Sequence, residues 1–390
     1  MSDSSSFLKQ YGDLSFTEMP FCDIDNALLC RIFYLPLEKT APNTFDEEPV
    51  SFPEVYEKYF ELCGNKHKAV GLVLPKAISE LAMTMSKTKR YSEMKLIGAK
   101  ETFTVEPAVQ FGAVTFILPD GTNVIMFRGT DDSLIGWLED LNIYTRKGIP
   151  SHQLAEDYLN EAADKLTGDI IVCGHSKGGN LAVFGALNCR KDVRDRIKLL
   201  YNNDGPGFHN FDYINTDAYR ELLPRYRHFI PQSSLVGVLL AHDDDYTVVK
   251  SRWQTGPLEH DLGSWLVDGT EFRTVDKLTP IGKINDLGFA KLIFGMDEEQ
   301  NKLLDKVVTD VVIGTGELYI LGFVKNLVPA FKNGRNTWSA MDDDTKDSFR
   351  SIFAGTLDLF KETAKIVNEE ALPVIKKRAS NFVKGMVSFA

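Results

Sequence analysis

Ser176, with a glycine two residues to either side, is the side chain best placed to act as a nucleophile. It stands in Asp169-Ile-Ile-Val-Cys-Gly-His-Ser-Lys-Gly-Gly-Asn-Leu-Ala-Val-Phe-Gly-Ala186, the stretch around which the whole chain can be ordered. Residues 169–173 are apolar and rich in β-branched types, the pattern of a strand buried on both faces. Asn180–Leu187 reads as a helix packed by small residues. Strand, Gly174-His-Ser-Lys-Gly178, helix is the pattern of a sharp turn that lifts a serine hydroxyl above the carboxyl edge of a sheet. So tight a turn leaves no room for a Cβ at 174 or 178. The next backbone N–H, that of Lys177, faces any oxyanion formed at the serine, so the chemistry implied is acyl transfer. The rival reading is a glycine-rich turn that merely joins a strand to a helix.

A second stretch adds to the first. Val124-Ile-Met-Phe-Arg-Gly-Thr-Asp-Asp-Ser-Leu-Ile-Gly-Trp-Leu-Glu-Asp-Leu141 resembles the strand, Arg-Gly-Thr/Ser loop and Trp-containing helix of class 3 (triacylglycerol) lipases. With Gly174–Gly178 it makes the likeness more specific than either piece alone. The Gly-His-Ser-Lys-Gly-Gly turn and the span from about residue 20 to 270 also resemble a bacterial lipase-like family of unknown function. The resemblance implies an α/β-hydrolase fold. It also implies that Thr130 gives a second oxyanion donor through its backbone N–H, often with its hydroxyl, beside Lys177. Arg128 reads as a structural residue that holds this loop.

The histidine and the acid must come from elsewhere. Seven histidines compete: His67, His152, His175, His209, His228, His242 and His260. In the α/β-hydrolase order of serine, acid, histidine, the base follows the last strand. His260, in Leu258-Glu-His-Asp-Leu-Gly-Ser-Trp265, occupies that place. His175 reads as a packing residue that points away from the elbow, and His67 as a solvated one. The acid departs from the lipase pattern, because Pro231-Gln-Ser-Ser-Leu-Val-Gly237 carries serine where aspartate is expected. Asp204 closes the strand after the elbow helix, at the carboxyl edge, and ranks first. Asp243-Asp-Asp245 precedes the final strand and falls at the opposite edge. Absence of a true acid stays open, as does a turn-forming role for Asp204 before Gly-Pro-Gly.

The elements that must position these residues are legible in outline. Residues 1–20 read as polar and loosely held. Helices are predicted at Asp23–Tyr34, around Phe52–Cys63, at Pro75–Lys87, from Leu134 and at Ser151–Leu166, with a surface loop over 38–52. Gln110–Leu118 and Asn123–Phe127, split by Pro-Asp-Gly-Thr, predict a hairpin. Further strands are predicted at Ile197–Asn203, Arg227–Pro231 and Tyr246–Trp253. Strands alternating with helices predict an α/β fold, a mostly parallel sheet with helices on both faces. From about residue 286 only helical periodicity remains, so two regions are expected: a lipase-like domain over 1–285 and a helical appendage over 286–390.

Composition sets the limits. The chain has 390 residues, 43% hydrophobic and 25% charged, which is ordinary for a globular protein. A net charge of −11 disfavours a nucleic-acid partner. Five scattered cysteines without a Cys-x-x-Cys pair point away from a disulfide scaffold or zinc site and towards a reducing compartment. The first residues lack an apolar core of signal-peptide length, and Val307–Ala330 is too broken by charges and glycines to span a bilayer, so a cytoplasmic location is expected. The mechanism implies neither metal nor cofactor, and an ester or lipid-like small molecule as substrate. A second class is a catalytically impaired lipase-like binding or scaffolding protein. Val374, Ile375, Phe382, Val383 and Met386 interleave with Lys376, Lys377, Arg378 and Lys384. That group could lie on an anionic membrane, but packing on the domain or on a second copy of the chain is the preferred reading. Val311–Val328 is apolar enough to help cover the mouth of the site.

Overall fold

The computed structural model describes residues 4–69, 77–242, 245–253 and 258–367. Eight strands form one sheet: β1 (Val50–Ser51), β2 (Lys95–Thr104), β3 (Val109–Ile117), β4 (Asn123–Phe127), β5 (Ile170–His175), β6 (Ile197–Asn203), β7 (Tyr226–Pro231) and β8 (Thr247–Val249). Spatial order equals sequence order. β1 to β4 pair antiparallel, while β4 to β8 pair parallel. A small hairpin, β9 (Val267–Asp268) with β10 (Glu271–Phe272), stands apart.

Two layers of helices enclose the sheet, as the α/β pattern predicts. α1 (Ser4–Tyr11), α2 (Asp23–Ile32), α3 (Phe52–Leu62), α4 (Ala77–Ser86) and α5 (Lys89–Ser92) precede β2. Their apolar residues share a core with Val124, Met126, Ile171 and Cys173. α6 (Leu134–Thr145), α7 (Pro150–Lys165) and α8 (Lys177–Asn188) follow β4 and β5. Residues of α7 and α8 form the second core with Ile125, Phe127, Ile170 and Val172. The period-2 split of β4 and β5 between two cores explains why both read as unbroken apolar runs.

Several expectations change. The N-terminal stretch is not loose: Ser4–Tyr11 is helical, and Phe7, Leu8 and Phe16 are buried. The cause lies far along the chain, where the buried Arg90 guanidinium donates to the carbonyls of Leu14, Ser15, Met19 and Pro20 and pairs with Asp25. β2 carries no clean alternation because a bulge between Ile97 and Lys100 breaks its register. Its Gly98 takes φ +64° against the Phe45 ring. His67 is tied to Ser79 Oγ at 3.0 Å rather than solvated. The last strand is shorter than Tyr246–Trp253, because Ser251 and Arg252 turn to pair with returning residues 264–265.

α9 (Lys191–Arg196) and α10 (Asp217–Leu222) join later strands. The chain is then helical from Pro280: α11 (Pro280–Gly295), α12 (Glu298–Gly314), α13 (Ile320–Lys325), α14 (Leu327–Ala340) and α15 (Asp343–Val367). The expected limit at 285 falls inside α11. Val308 and Val312 of α12 pack on Ile135 and Leu138 of α6. Asp243, Asp244 and the basic apolar group from Val374 onward lie outside the described residues. Among the described residues no helix is long and apolar enough to cross a membrane.

His228 on β7 supplies a test of the buried interior. Its ring stacks on Tyr226, and both nitrogens are inaccessible to solvent and unbonded among the described residues. Burial, with His242 nearby, pushes its pKa from 6.5 down to about 3. The folded state therefore resists a proton that the unfolded state accepts. Stability should be full above pH 6.5 and decline as pH falls towards 3. Between neutrality and pH 5 this one group costs about 2 kcal/mol. Urea midpoints should show a smaller acid loss for His228→Phe than for the parent.

Candidate active site

Three adjacent parallel strands end at one edge, and each carries a candidate residue just beyond its end. β4 runs into Arg128-Gly129-Thr130, β5 into Ser176 and β6 into Asp204. Ser176 N–H donates to the Asn203 carbonyl at 3.0 Å, and Asp204 N–H to the Phe229 carbonyl at 2.7 Å, so both turns are extensions of the sheet. Asn203 is held by a reciprocal amide pair with Asn26 and donates to the Gly174 carbonyl.

Ser176 has φ +59° and ψ −133°, a backbone conformation costing a non-glycine residue about 1–3 kcal/mol. It persists because its surroundings allow nothing else. A Cβ on Gly174 would overlap the Gly178 backbone, and one on Gly178 would overlap the Phe127 carbonyl. Gly129 lies against the elbow so closely that a Cβ there would sit 3.1 Å from Ser176 Cβ. The Thr130 loop and the serine turn therefore meet.

His260 lies in the loop after β8, with its side chain 24% exposed. Its Nδ1 donates to Asp204 Oδ2 at 2.7 Å, which leaves Nε2 with a free lone pair. Asp204 is buried, has φ +51°, and accepts on Oδ1 from Ser234 Oγ at 2.5 Å and Gly237 N at 2.9 Å. Ser234, at the place where the lipase pattern has aspartate, thus serves the carboxylate of the neighbouring strand. Asp245 lies before β8, at the opposite edge.

His175 does not simply point away. Its Nε2 donates to the His260 carbonyl at 2.8 Å, and its Nδ1 accepts from Tyr34 OH at 2.8 Å. The two imidazoles pack with centroids 4.5 Å apart. Burial, with the His260 ring packed beside it, holds the His175 pKa well below its usual value, so it stays neutral. His260 is thereby joined to the elbow through the residue before Ser176. No hydrogen bond links Ser176 Oγ directly to His260 Nε2. Of the other histidines, His152 Nε2 donates to Asn180 Oδ1 at 2.7 Å, and His242 faces Asp286 at 3.4 Å.

The Thr130 hydroxyl is committed elsewhere: it donates to Asp140 Oδ2 at 2.6 Å. Burial pushes the Asp140 carboxyl up to about 6, despite Lys177 and the Thr130 bond. Arg128 is structural, pairing with Glu38 and Glu101.

Lys177 contributes more than a backbone N–H. Its side chain is fully buried and turns inward, donating to the Gln110 carbonyl at 2.6 Å, Gln110 Oε1 at 2.8 Å and Glu139 Oε2 at 2.7 Å. Glu139 also accepts from Gln110 N and Ser151 Oγ. This knot ties the elbow helix α8 to α6, the helix that follows the Thr130 loop. A lysine in so small-residued a turn was the one available signal for it. Tyr34 and Glu139 carried no signal, since each matters only through partners elsewhere in the chain.

Among the described residues no three His, Cys, Asp or Glu side chains are placed to hold a metal ion. Comparison with curated proteins and with solved structures finds no match. The family model described as Mbeg1-like matches residues 85–309, which include Thr130, Ser176, Asp204 and His260. That match covers more than half of the chain, and the protein belongs to the Mbeg1-like family, a lipase-like family.

Proposed function

We propose that the protein is a serine hydrolase of carboxylic esters, acting on acyl or lipid-like substrates. Ser176 Oγ attacks the ester carbonyl while His260 Nε2 takes its proton. Collapse of the tetrahedral intermediate expels the alcohol, which receives that proton, and leaves an acyl-serine. Water, deprotonated by the same nitrogen, releases the carboxylic acid and restores the serine. The N–H groups of Lys177 and Thr130 hold the oxyanion, and Asp204 keeps His260 in the tautomer that accepts at Nε2. The observation that carries this reading is the placing of Thr130, Ser176 and Asp204 beyond three neighbouring strand ends, with His260 bonded to Asp204. Catalytic hydrogen bonds of this kind often tighten only in the substrate complex, so the enzyme reading does not need a direct Ser176–His260 bond here. Its lack favours the second reading, an impaired lipase-like binding protein. The five free thiols suit the cytoplasm.

A fluorophosphonate probe separates the two readings. The expected result is a single adduct on the peptide carrying Ser176, with labelling suppressed by p-nitrophenyl esters that the protein turns over. Unlabelled protein, or an adduct elsewhere, would overturn the enzyme reading. The ester series also reports the chain length the site accepts.

A further inference from the structure

The segment from Leu318 to Arg335 has apolar side chains on its outside. Leu318, Tyr319, Val324 and Leu327 are each about two-fifths to one-half exposed, and Val328 is 78% exposed. Within α14 the buried positions are Ala330 and Gly334, which fixes the inner face. At about 100° per residue, Leu327 borders that face, Val328 turns outward, and Arg335 and Lys332 stand beside and beyond Val328. Small residues inside, branched apolar ones outside and cations on the flank reverse the usual arrangement of a surface helix. Asn326 separates α13 from α14, and neither helix is long and apolar enough to cross a bilayer.

The charge pattern selects the partner. Residues 318–341 hold Lys325, Lys332 and Arg335 and not one acid, in a chain whose net charge is −11. Residues 368–390 hold Lys376, Lys377, Arg378 and Lys384 against Glu369 and Glu370, so the tail is itself net positive and is a poor complement to these cations. A symmetric contact with a second copy would set cations against cations. An anionic surface with an apolar interior satisfies both features.

We propose that the Leu318–Arg335 surface docks the protein on an anionic lipid bilayer. The surface is continuous with the candidate site. Leu134 N–H donates to the Leu318 carbonyl at 2.7 Å and Ile320 N–H to the Asp132 carbonyl at 2.9 Å, within four residues of Thr130. Tyr319 bridges Ser133 and stacks on Phe103, and Trp137, one turn further along α6, is 53% exposed. Docking there brings the Thr130 loop to the membrane edge, where a lipid-like ester would be met. The inference does not require catalysis.

The test is flotation of the full chain with vesicles of phosphatidylglycerol and phosphatidylcholine, against phosphatidylcholine alone, without substrate. Binding should require phosphatidylglycerol and weaken with salt. Val328→Asp should abolish it, and Lys325→Ser with Lys332→Ser should lower it by about tenfold or more. Lys58→Ser with Lys191→Ser, which removes two exposed cations elsewhere, should leave it unchanged. Circular dichroism should show every variant folded, since each changed side chain is exposed. Failure of the parent to float overturns the proposal. So does binding that survives Val328→Asp but is lost on truncation after Val367, which would assign the contact to the tail. Sedimentation that shows Val328→Asp dissolving a dimer, with flotation unchanged, would assign the surface to a second copy instead. Flotation and probe labelling are independent readouts, so failure of one leaves the other standing.

Discussion

Asp204→Asn is expected to lower ester turnover by about 10⁴-fold while the protein stays folded. The amide oxygen can still accept from Ser234 Oγ and Gly237 N, so the buried turn keeps its bonds. The amide nitrogen then faces His260 Nδ1, which must accept where it now donates. The ring's only proton moves to Nε2, the atom that should receive the Ser176 proton, and the base is blocked. Thermal unfolding of the variant should stay close to that of the parent, and KM should change far less than kcat. Alanine at Asp243, Asp244 and Asp245 together should leave turnover within the same order of magnitude. The reverse ranking of the two variants would show that the acid belongs to the other loop.

Lys177→Met should destabilise the fold by about 3–5 kcal/mol, the usual cost of breaking a buried ion pair from one side. Without the ammonium, Glu139 keeps only Gln110 N and Ser151 Oγ and stays buried as an uncompensated charge. Glu139→Gln should be costly for the mirror reason, since it strands the cation. Lys177→Met with Glu139→Gln should recover much of the loss, because no unpaired charge remains. Urea unfolding of the four proteins measures the cycle. Single variants that unfold within about 1 kcal/mol of the parent would mean that the knot carries little of the stability. Since α6 follows the Thr130 loop and α8 follows Ser176, the single variants should also loosen the spacing of that loop and the serine turn.

Much of the frame was legible because its causes are local. Gly174 and Gly178 announce the serine turn through steric need alone, and Pro119-Asp-Gly announces the hairpin through turn chemistry. Strand direction alone was enough to set Asp204 on the edge of Ser176 and Asp245 on the other. Residues whose purpose lies in a distant partner were illegible. Phe7 and Phe16 are held by a packing that depends on Arg90, and β2 hides behind its bulge at Gly98. His175 reads as filler until Tyr34 and the His260 carbonyl are seen on either side of it. At Lys177 the side chain was illegible, because nothing near it in the chain reveals Glu139.

The sheet's order has a consequence for how the molecule comes into being. Because each strand lies beside its predecessor in the chain, a ribosome can extend the sheet one edge at a time, and pairing never waits for a distant segment. Thr130, Ser176 and Asp204 therefore emerge and settle in that order, and His260 arrives last. Until about residue 266 has left the exit tunnel, the nascent chain presents Ser176 and Asp204 without His260 beside them. The Leu318–Ile320 bridge closes later still, so the segment from Asp132 to Leu134 waits for a partner almost two hundred residues downstream. A chain stopped early would leave the Thr130 loop unclamped.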